Sequence, residues 1–310
     1  MADALRKTLT GLRALGGDHR SGAAEIADRA ASLLADYCRQ ERPDDPRLPY
    51  GLAELAETML TVQPSLAPLL NLANLVQLAA ERDKNPLRRL ANELEKRRRR
   101  RGQARTRIAH EFAQRARRFR RLLTYSYSST VLAALAATHH SNRLENVFLS
   151  EGRPLNEGRL LAERLAGLGI PVALTVDAAL AGRVKEADAV MVGTDAVFGD
   201  AYVNKVGTRL LQERARKAGK PFFLLADTGK FLPPLLAVFH RIEEEPAHEV
   251  WRETPAGVTV LNRYFEVIPF EKHVTLLSEH GALTPARVHI WVKRQPVAQR
   301  WREAAARKKA

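Results

Sequence analysis

The sequence predicts an α/β protein in which a helical amino-terminal domain is followed by a domain built on a parallel sheet. Up to about residue 115, apolar residues recur at helical spacing, whereas from Arg120 onward short apolar runs alternate with helical patterns. Such strand–helix alternation is typical of a parallel sheet with helices on both faces. The 310 residues are enough for two domains. The change of pattern divides them into 1–115 and 116–310.

The helices of the first domain are predicted from apolar residues spaced three and four apart. Segment 23–37 is rich in Ala and Leu with charges at helical spacing, and segment 66–80 repeats apolar residues at these steps. A long connecting helix over 84–121 follows the break at Asn85-Pro86. Its apolar stripe is formed by Ile108, Phe112, Ala116 and Phe119.

This connecting helix also carries most of the net charge of +15. Between Lys96 and Arg121 stand thirteen Lys or Arg residues and one acidic residue, Glu111. Charge runs of this kind are usually solvated surface, with arginines paired to acids elsewhere. A contact with RNA or with an acidic protein face through Arg97 to Arg101 stays open as the alternative. No aromatic platform or RNA-binding signature accompanies the run.

The second domain is predicted to hold a sheet whose strands are short apolar runs separated by helices. We predict strands at 122–124, 147–149, 172–176, 190–192, 222–225 and 274–277. We predict helices at 131–137, 160–168 and 208–218, and a basic tail at 300–309.

Several classes of protein are excluded by composition and motif. No run of about eighteen apolar residues marks a membrane span, and residues 1–7 lack the apolar core of a signal peptide, so we expect a cytoplasmic protein. The single cysteine, Cys38, excludes an internal disulfide and a cysteine zinc site. His139-His140 has no clustered partners, so no metal is expected. Gly167-Leu168-Gly169 precedes a strand and no P-loop is present, so no nucleotide cofactor is expected.

Two polar motifs follow predicted strands, and a third comes shortly after the second; together they mark the candidate site. They are Ser150-Glu151-Gly152-Arg153-Pro154, Gly193-Thr194-Asp195-Ala196-Val197 and Asn204-Lys205-Val206-Gly207-Thr208. In an open α/β sheet, the carboxyl ends of the strands are where ligands bind. We therefore expect these motifs to meet around one pocket.

The residue types in these motifs suit a phosphorylated small molecule. Arg153 and Lys205 offer cations for phosphate, Asp195 offers a carboxylate, and Gly207-Thr208 opens a helix whose free N–H groups suit an anion. Structural roles stay open beside this: Asp195 can cap a helix or pair with Lys205, and Lys230 can belong to an ordinary turn. A catalytic acid, several cations and a phosphate seat are the functional prediction.

With these motifs placed, the carboxyl two-thirds of the chain resembles a family that joins regulatory proteins and isomerases. The family unites the alpha, beta and delta regulatory subunits of translation initiation factor 2B with isomerases acting on methylthioribose 1-phosphate and ribose 1,5-bisphosphate. The further matching segments are Leu123-Thr124, Lys230-Phe231, 264–269, 278–281 and, more loosely, 20–23 and 63–65. The resemblance implies a Rossmann-like second domain, a phosphate-ligand site between the domains, and dimers or higher homo-oligomers through the second domain.

The resemblance also implies roles for individual residues. Asp195 matches an isomerase aspartate whose partner, a cysteine on the loop after the first strand, is replaced here by Ser126. An arginine that helps to hold phosphate in the isomerases corresponds to Gln63. The implied ligand-binding residues are Arg20, Arg153, Asn204, Lys205, Lys230, Ser128 and Ser129.

The replaced cysteine decides which function the sequence favours. A thiol with a pKa of about 8.5 exchanges protons near neutrality, whereas an unactivated hydroxyl hardly does. The sequence therefore favours a regulatory protein that binds a phosphorylated sugar or nucleotide. An aldose–ketose isomerase using Asp195 stays the alternative, with Tyr125, Tyr127 or Ser126 in the role of the cysteine.

Overall fold

Five α-helices lie ahead of the first strand in the computed structural model, which describes residues 2–18 and 21–309. They are α1 (Ala2–Ala14), α2 (Ala23–Gln40), α3 (Leu48–Val62), α4 (Ala67–Arg82) and α5 (Pro86–Arg115). α4 is the central helix, because residues around its whole circumference are buried, including the polar Asn71 and Asn74. The helices predicted at 23–37 and 66–80 are therefore confirmed as α2 and α4.

α5 begins as the sequence predicts and ends earlier. The Asn85 side chain accepts a hydrogen bond from a backbone N–H three residues on, at 3.0 Å, and Pro86 occupies the first turn. The predicted continuation to residue 121 is wrong, because the Asp188 carboxylate accepts the backbone N–H groups of Arg120 and Arg121 at 2.7 and 2.8 Å. These bonds hold the chain at the start of the first strand. The division into two domains at residue 115 stays a prediction.

Strands and helices alternate in the rest of the chain. The strands are β1 (Arg121–Leu123), β2 (Asn146–Ser150), β3 (Val172–Thr175), β4 (Ala189–Val192), β5 (Ala196–Val197), β6 (Ala201–Lys205), β7 (Phe222–Leu225), β8 (Phe265–Pro269), β9 (Val274–Ser278) and β10 (Gly281–Leu283). The helices are α6 (Ser129–Asn142), α7 (Glu157–Gly167), α8 (Asp177–Leu180), α9 (Thr208–Lys217), α10 (Pro234–Ala237), α11 (Pro285–Arg294) and α12 (Gln299–Lys309).

The main sheet has the order β10-β9-β7-β4-β1-β2-β3 and is parallel except for its edge strand β10. All six predicted strands are present in it. On β4, Val190 and Val192 pack into one apolar cluster, while Ala189 and Met191 pack into another on the opposite face. Both faces of the sheet are therefore covered, which confirms the predicted α/β class.

A second, antiparallel sheet of β5, β6 and β8 was not predicted. β5 is only two residues long, and the pairing of β6 with β8 joins segments that lie some sixty residues apart in the chain. A two-residue strand is too short to show an alternating pattern, and the pairing of distant segments leaves no pattern in the sequence. This small sheet places Asn204 and Lys205 at the end of β6.

The predicted basic tail is a packed helix. In α12, Trp301 and Ala305 are buried against the amino-terminal helices. Asn74 of α4 donates to the Pro296 carbonyl at 2.9 Å and accepts from the Ala298 N–H at 2.9 Å. These contacts return the carboxyl-terminal segment to the helical part of the molecule. None of the helices in the described ranges has the length and apolar character to cross a membrane.

Candidate functional site

A cavity of about 300 Å³ lies where loops of the amino-terminal helices meet the strand ends of the main sheet. We call it the ligand cavity. Its walls come from residues 21–26 and 62–66, the loop 125–129 after β1, the turn 193–195 after β4, and the end of β6. The predicted site residues that line it are Ser126, Ser128, Ser129, Asp195, Asn204, Lys205 and Lys230.

Gly193 allows two of these loops to approach each other. A Cβ at this position would lie 2.6 Å from the Ser128 hydroxyl oxygen, which is closer than a side chain tolerates. The next residues are fixed as well, since Asp195 N donates to the Val203 carbonyl at 2.8 Å. The Asp195 carbonyl accepts from Ala67 N at 3.2 Å, which ties this turn to the start of α4. The position of Asp195 therefore depends on both parts of the chain.

The Asp195 carboxyl is held in an environment that disfavours its charged form. Burial raises its pKa from 3.8 to about 6 and outweighs the opposing effect of the Lys230 and Lys205 ammonium groups. The nearby Glu157 carboxylate raises the pKa further. A carboxyl with this pKa exchanges protons close to neutral pH, which suits a proton-transfer group.

Lys205 forms a buried ion pair with Glu157, a residue that sequence reasoning missed. The Lys205 Nζ to Glu157 Oε1 distance is 2.9 Å, and the two side chains are 3% and 9% exposed. Ser126 Oγ donates to the same oxygen at 2.9 Å. The other oxygen, Glu157 Oε2, is buried without a hydrogen-bond partner among the described residues. The sequence holds one signal for Glu157: it is a charged residue shortly after the 150–154 motif, and Gly158 directly follows it.

Lys230 reaches the cavity from a short 3-10 turn, Thr228–Lys230. Its ammonium donates to the Thr194 carbonyl, and the residue is 4% exposed. Asn71 of α4 holds the turn by donating to the carbonyls of Gly229 and Phe231 at 2.8 and 3.0 Å. A buried polar side chain on a central helix therefore positions a cation of the site.

The loop after β1 ends at the start of α6. Ser128 Oγ accepts a hydrogen bond from Val131 N at 3.4 Å and so caps this helix, and Ser129 is its first residue. Both serines also line the cavity, so the residues at the start of α6 also face the space for a ligand. The positive end of a fourteen-residue helix dipole thus lies in the cavity wall.

The predicted anion seat at Gly207-Thr208 is taken by the protein itself. Glu266 Oε1 accepts the N–H groups of Gly207 and Arg209 at 2.8 and 2.9 Å, so this carboxylate caps α9. Asn204 donates to the Thr208 hydroxyl at 3.0 Å. An external anion therefore has no open seat at this helix start.

One further predicted residue, Arg153, does not join the ligand cavity. Arg153 is exposed, is not part of the cavity wall, and donates through its guanidinium to the Val250 carbonyl at 3.2 Å. Its backbone N–H is held by Asp177 at 2.7 Å, which fixes the loop without turning the side chain inward. The expectation that Arg153 shares a pocket with Asp195 is therefore not met. Arg20 lies outside the described residues.

Comparison with known proteins assigns the chain to a family. The model of the initiation factor 2 subunit family matches residues 19–285. The chain belongs to this family. The ribose 1,5-bisphosphate isomerase of Archaeoglobus fulgidus is 31% identical over 274 residues, covering 87% of this chain and 87% of that protein. An eIF-2B subunit 2-like protein of Pyrococcus furiosus is 31% identical over 86% of this chain and 92% of its own length.

Solved structures carry the same assignment. The crystal structure of translation initiation factor eIF-2B from Pyrococcus horikoshii OT3 superposes with a TM-score of 0.78 at 28% identity. The superposition covers 91% of this chain and 98% of the Pyrococcus horikoshii chain. The fold of this initiation factor 2 family member is therefore shared along nearly the whole chain.

The groups that sequence reasoning considered in place of the cysteine are all engaged in this family member. Tyr125 donates its hydroxyl to the Val206 carbonyl at 2.8 Å, and Tyr127 donates to Glu25 at 3.1 Å. Burial raises the pKa of both hydroxyls, so neither loses a proton near neutrality. Ser126, at φ 63°, donates to Glu157.

Two other residues of interest have structural roles. Gln63, which the resemblance matches to an isomerase arginine, lines the cavity but donates both amide hydrogens to the carbonyls of Leu15 and Asp18, at 2.7 and 2.8 Å. Cys38 lies on α2 away from the cavity wall, and burial raises its pKa to about 12. Within 2–18 and 21–309, no three His, Cys, Asp or Glu side chains are grouped as a metal ion requires.

The arginine run of α5 divides into paired and unpaired residues. Arg98 and Arg99 form ion pairs with Glu95 at 3.0 and 2.7 Å, and Arg101 pairs with Asp28 of α2. Arg97 is partly buried, with Nη2 directed toward the turn that carries Lys230. The run is therefore not one exposed basic surface.

Proposed function

We propose that this initiation factor 2 family member binds a phosphorylated sugar or nucleotide in the ligand cavity and acts as a regulatory protein. One observation carries the proposal: Asp195, Lys205, Lys230 and the start of α6 line the same cavity. Ammonium groups and a helix start favour phosphate, and a carboxyl accepts or donates hydrogen bonds to sugar hydroxyls. The partner that reads the bound state belongs, on this proposal, to cytoplasmic translation initiation.

The regulatory role is supported by what surrounds Ser126. The resembled isomerases carry a cysteine at this position, and the hydroxyls of Tyr125 and Tyr127 are too weakly acidic to replace its thiol. Binding of a ligand needs none of these proton transfers. The cavity can therefore keep its ligand contacts without turnover.

Calorimetry tests the proposed binding with ribose 1,5-bisphosphate, methylthioribose 1-phosphate and purine nucleotides as titrants. We expect Lys230→Gln to weaken binding at least tenfold, because a charge-assisted hydrogen bond of about 1.5–3 kcal/mol is lost. Lys217→Gln is the matched control, since Lys217 is exposed in the last turn of α9. Failure of every titrant to bind a folded sample, or equal losses in the two variants, would overturn the proposal.

A second candidate function is aldose–ketose isomerisation, and Glu157 favours it. Its carboxylate is nine-tenths buried in the cavity wall, has one oxygen free of protein partners in the described residues, and bonds to Ser126. In this alternative Asp195 takes the C2 proton and returns it to C1. The C1–O4 ring bond breaks, and Glu157 carries the proton of the C2 hydroxyl to the released O4 as C2 becomes a ketone. Two carboxyls then replace the aspartate–cysteine pair.

A coupled assay on the two sugar phosphates separates the alternatives. We expect an isomerase to lose turnover in Asp195→Asn and to keep ligand affinity in Glu157→Gln while kcat falls. Turnover that survives Asp195→Asn unchanged would refute the role given to this residue. Ligand binding without turnover in the wild-type protein would support the regulatory function alone.

Self-association through residues 116–310 is part of the same proposal. Leu210 of α9 and Val267 of β8 are each about half exposed, and α9 packs beside β8. Neighbouring exposed apolar side chains favour burial in an interface. Light scattering should report at least a homodimer, and Leu210→Glu should dissociate it while Leu168→Glu, also exposed, should not.

A contact of the segment Arg97 to Arg101 with RNA or an acidic protein face is a further proposal. Arg98 and Arg99 are exposed on α5, although each pairs with Glu95. If phosphates are the partner, affinity should fall steeply with salt. Binding that is independent of salt would speak against this contact.

A further inference from the structure

A second cavity, of about 630 Å³, lies on the other side of the turn that carries Lys230. We call it the arginine cavity. Its arginines come from one face of α5, at three- and four-residue spacing, and the facing wall is built from residues 227–229 and 279–280 and from Trp291. The four arginines in its lining are Arg97, Arg100, Arg101 and Arg107.

The acidic groups of this cavity are already bonded to the protein. Asp227 accepts from Gly229 N at 2.9 Å, and both oxygens of Glu279 accept from Thr228 N at 3.1 and 3.2 Å. Glu93 pairs with Lys96 at 2.8 Å. These hydrogen bonds hold the carboxylates of Asp227 and Glu279 in place without neutralising them, so three carboxylates share the cavity with its four arginines.

Three of the arginines have no ion-pair partner in the part of the chain that the structure describes. Among residues 2–18 and 21–309, no carboxylate oxygen lies within 4.0 Å of the guanidinium groups of Arg97, Arg100 or Arg107. Arg101 is paired with Asp28, which is not part of the cavity wall. The lining therefore holds four arginines against three carboxylates.

Arg97 is the most constrained of these cations. Burial, with a smaller effect from Arg101, lowers its pKa to about 10, and the more distant carboxylates of Asp227 and Asp28 only partly oppose this, so the guanidinium is charged at neutral pH in surroundings that disfavour the charge. Its Nη2 would lie 3.6 Å from a Cβ placed on Gly229, so it sits directly on the turn. A partly buried cation with no carboxylate at ion-pair distance is stabilised by an anion that reaches it.

The opposite wall of the arginine cavity carries two aromatic rings beside its carboxylates. The rings of His280 and Trp291 have centroids 4.6 Å apart, and Trp291 also contacts Phe231 at 6.3 Å between centroids. These contacts hold the indole in place. A rigid ring system beside guanidinium groups suits a small organic phosphate better than a freely hydrated ion.

We propose that the arginine cavity is a second anion site, separate from the ligand cavity, for a small molecule that carries two or more phosphate groups. Guanidinium groups bind phosphate oxygens in pairs, and several of them exceed what one monophosphate can satisfy. The volume of the cavity accommodates such a molecule. RNA and a second copy of this chain are the competing occupants, and the experiment separates them.

Titration calorimetry with pyrophosphate tests the proposal. The exposed arginines allow a variant that leaves the fold intact, Arg100→Gln with Arg107→Gln, and a matched control on the same helix, Arg98→Gln with Arg99→Gln. We expect at least a tenfold loss of pyrophosphate affinity in the first pair and less than a twofold change in the second. Arg97→Gln should add a further loss, with circular dichroism confirming that each variant is folded.

Four results would overturn the proposal. Equal losses in the two double variants would mean diffuse surface charge, and no loss in either would place pyrophosphate in the ligand cavity alone. Binding of a single-stranded oligonucleotide without binding of pyrophosphate would assign the arginines to RNA. Pyrophosphate affinity that falls as the protein concentration rises would show a second copy covering the cavity.

Discussion

Replacing Asp195 by asparagine removes a carboxyl whose charged form the folded protein disfavours. The pKa of this carboxyl rises from 3.8 to about 6 on burial. When the pKa of a group differs by one between the folded and unfolded chain, its two protonation states differ in stability by about 1.4 kcal/mol. The charged carboxylate therefore lowers the free energy of unfolding by on the order of 3 kcal/mol at pH 8. Asparagine has nearly the same shape and carries no charge, so this penalty disappears.

The sign of the effect depends on pH. Since the folded protein binds the Asp195 proton more tightly than the unfolded chain, the stabilising contribution of protonation is complete below about pH 4. It is lost as the pH rises through about 6. We therefore expect Asp195→Asn and the wild-type protein to be equally stable at pH 4, with the variant more stable at pH 7 and above.

Urea unfolding of the two proteins at a series of pH values measures this difference directly. Asp200→Asn is the matched control, because Asp200 is an exposed carboxylate in the turn before β6 and its replacement should change the unfolding free energy by less than about 0.5 kcal/mol. A variant that is no more stable than the wild type at pH 8 would refute the reasoning. So would a stability difference that does not change with pH.

Three other changes test the packing of the site. Lys205→Gln should lower the free energy of unfolding by about 3–5 kcal/mol, because it leaves the buried Glu157 carboxylate without its cation. In urea unfolding, the double variant with Glu157→Gln should recover part of this loss. Fully additive losses in the double variant would contradict the pairing. Gly158→Ala would place a Cβ 1.8 Å from the Ser150 carbonyl oxygen, so it should lower the unfolding free energy by roughly 3 kcal/mol and the melting temperature by about 5 °C. An unchanged melting curve would show that the loop yields. Glu266→Ala removes the carboxylate that caps α9 and should lower stability by about 1–2 kcal/mol in calorimetric melting; a smaller loss would mean that water replaces the cap.

The parts of the fold that the sequence predicts are those with a local cause. Central strands of a parallel sheet are buried on both faces and so appear as continuous apolar runs, as Ala189–Val192 does. The start of α5 is predicted because Asn85 and Pro86 act within one turn. The meeting of Asp195 and Lys205 is predicted because Asp195 follows the predicted strand 190–192 and Lys205 stands only ten residues further along the chain.

The parts that could not be predicted depend on partners distant in the chain. Glu157 and Lys205 are separated by nearly fifty residues, and only the folded structure shows that their charges neutralise each other. Glu266 similarly caps a helix almost sixty residues earlier. The outward direction of Arg153 is set by the hydrogen bonds of its loop to Asp177, which no pattern in the 150–154 motif indicates.

The charges of the two cavities favour different anions. In the described wall of the ligand cavity, Lys205 is paired with Glu157, and Lys230 lies close enough to Asp195 to lower the pKa of that carboxyl. A bare phosphate ion there meets cations that acids already compensate, so hydrogen bonds from sugar hydroxyls to the carboxyls must supply much of the affinity. In the arginine cavity four arginines face three carboxylates, and three of the guanidinium groups have no ion-pair partner in the described part of the chain, so on our proposal phosphate groups bind there without hydrogen bonds from sugar hydroxyls. On these proposals, the selectivity between a sugar phosphate and a simple polyphosphate depends on how far the carboxylates of each cavity already neutralise its cations.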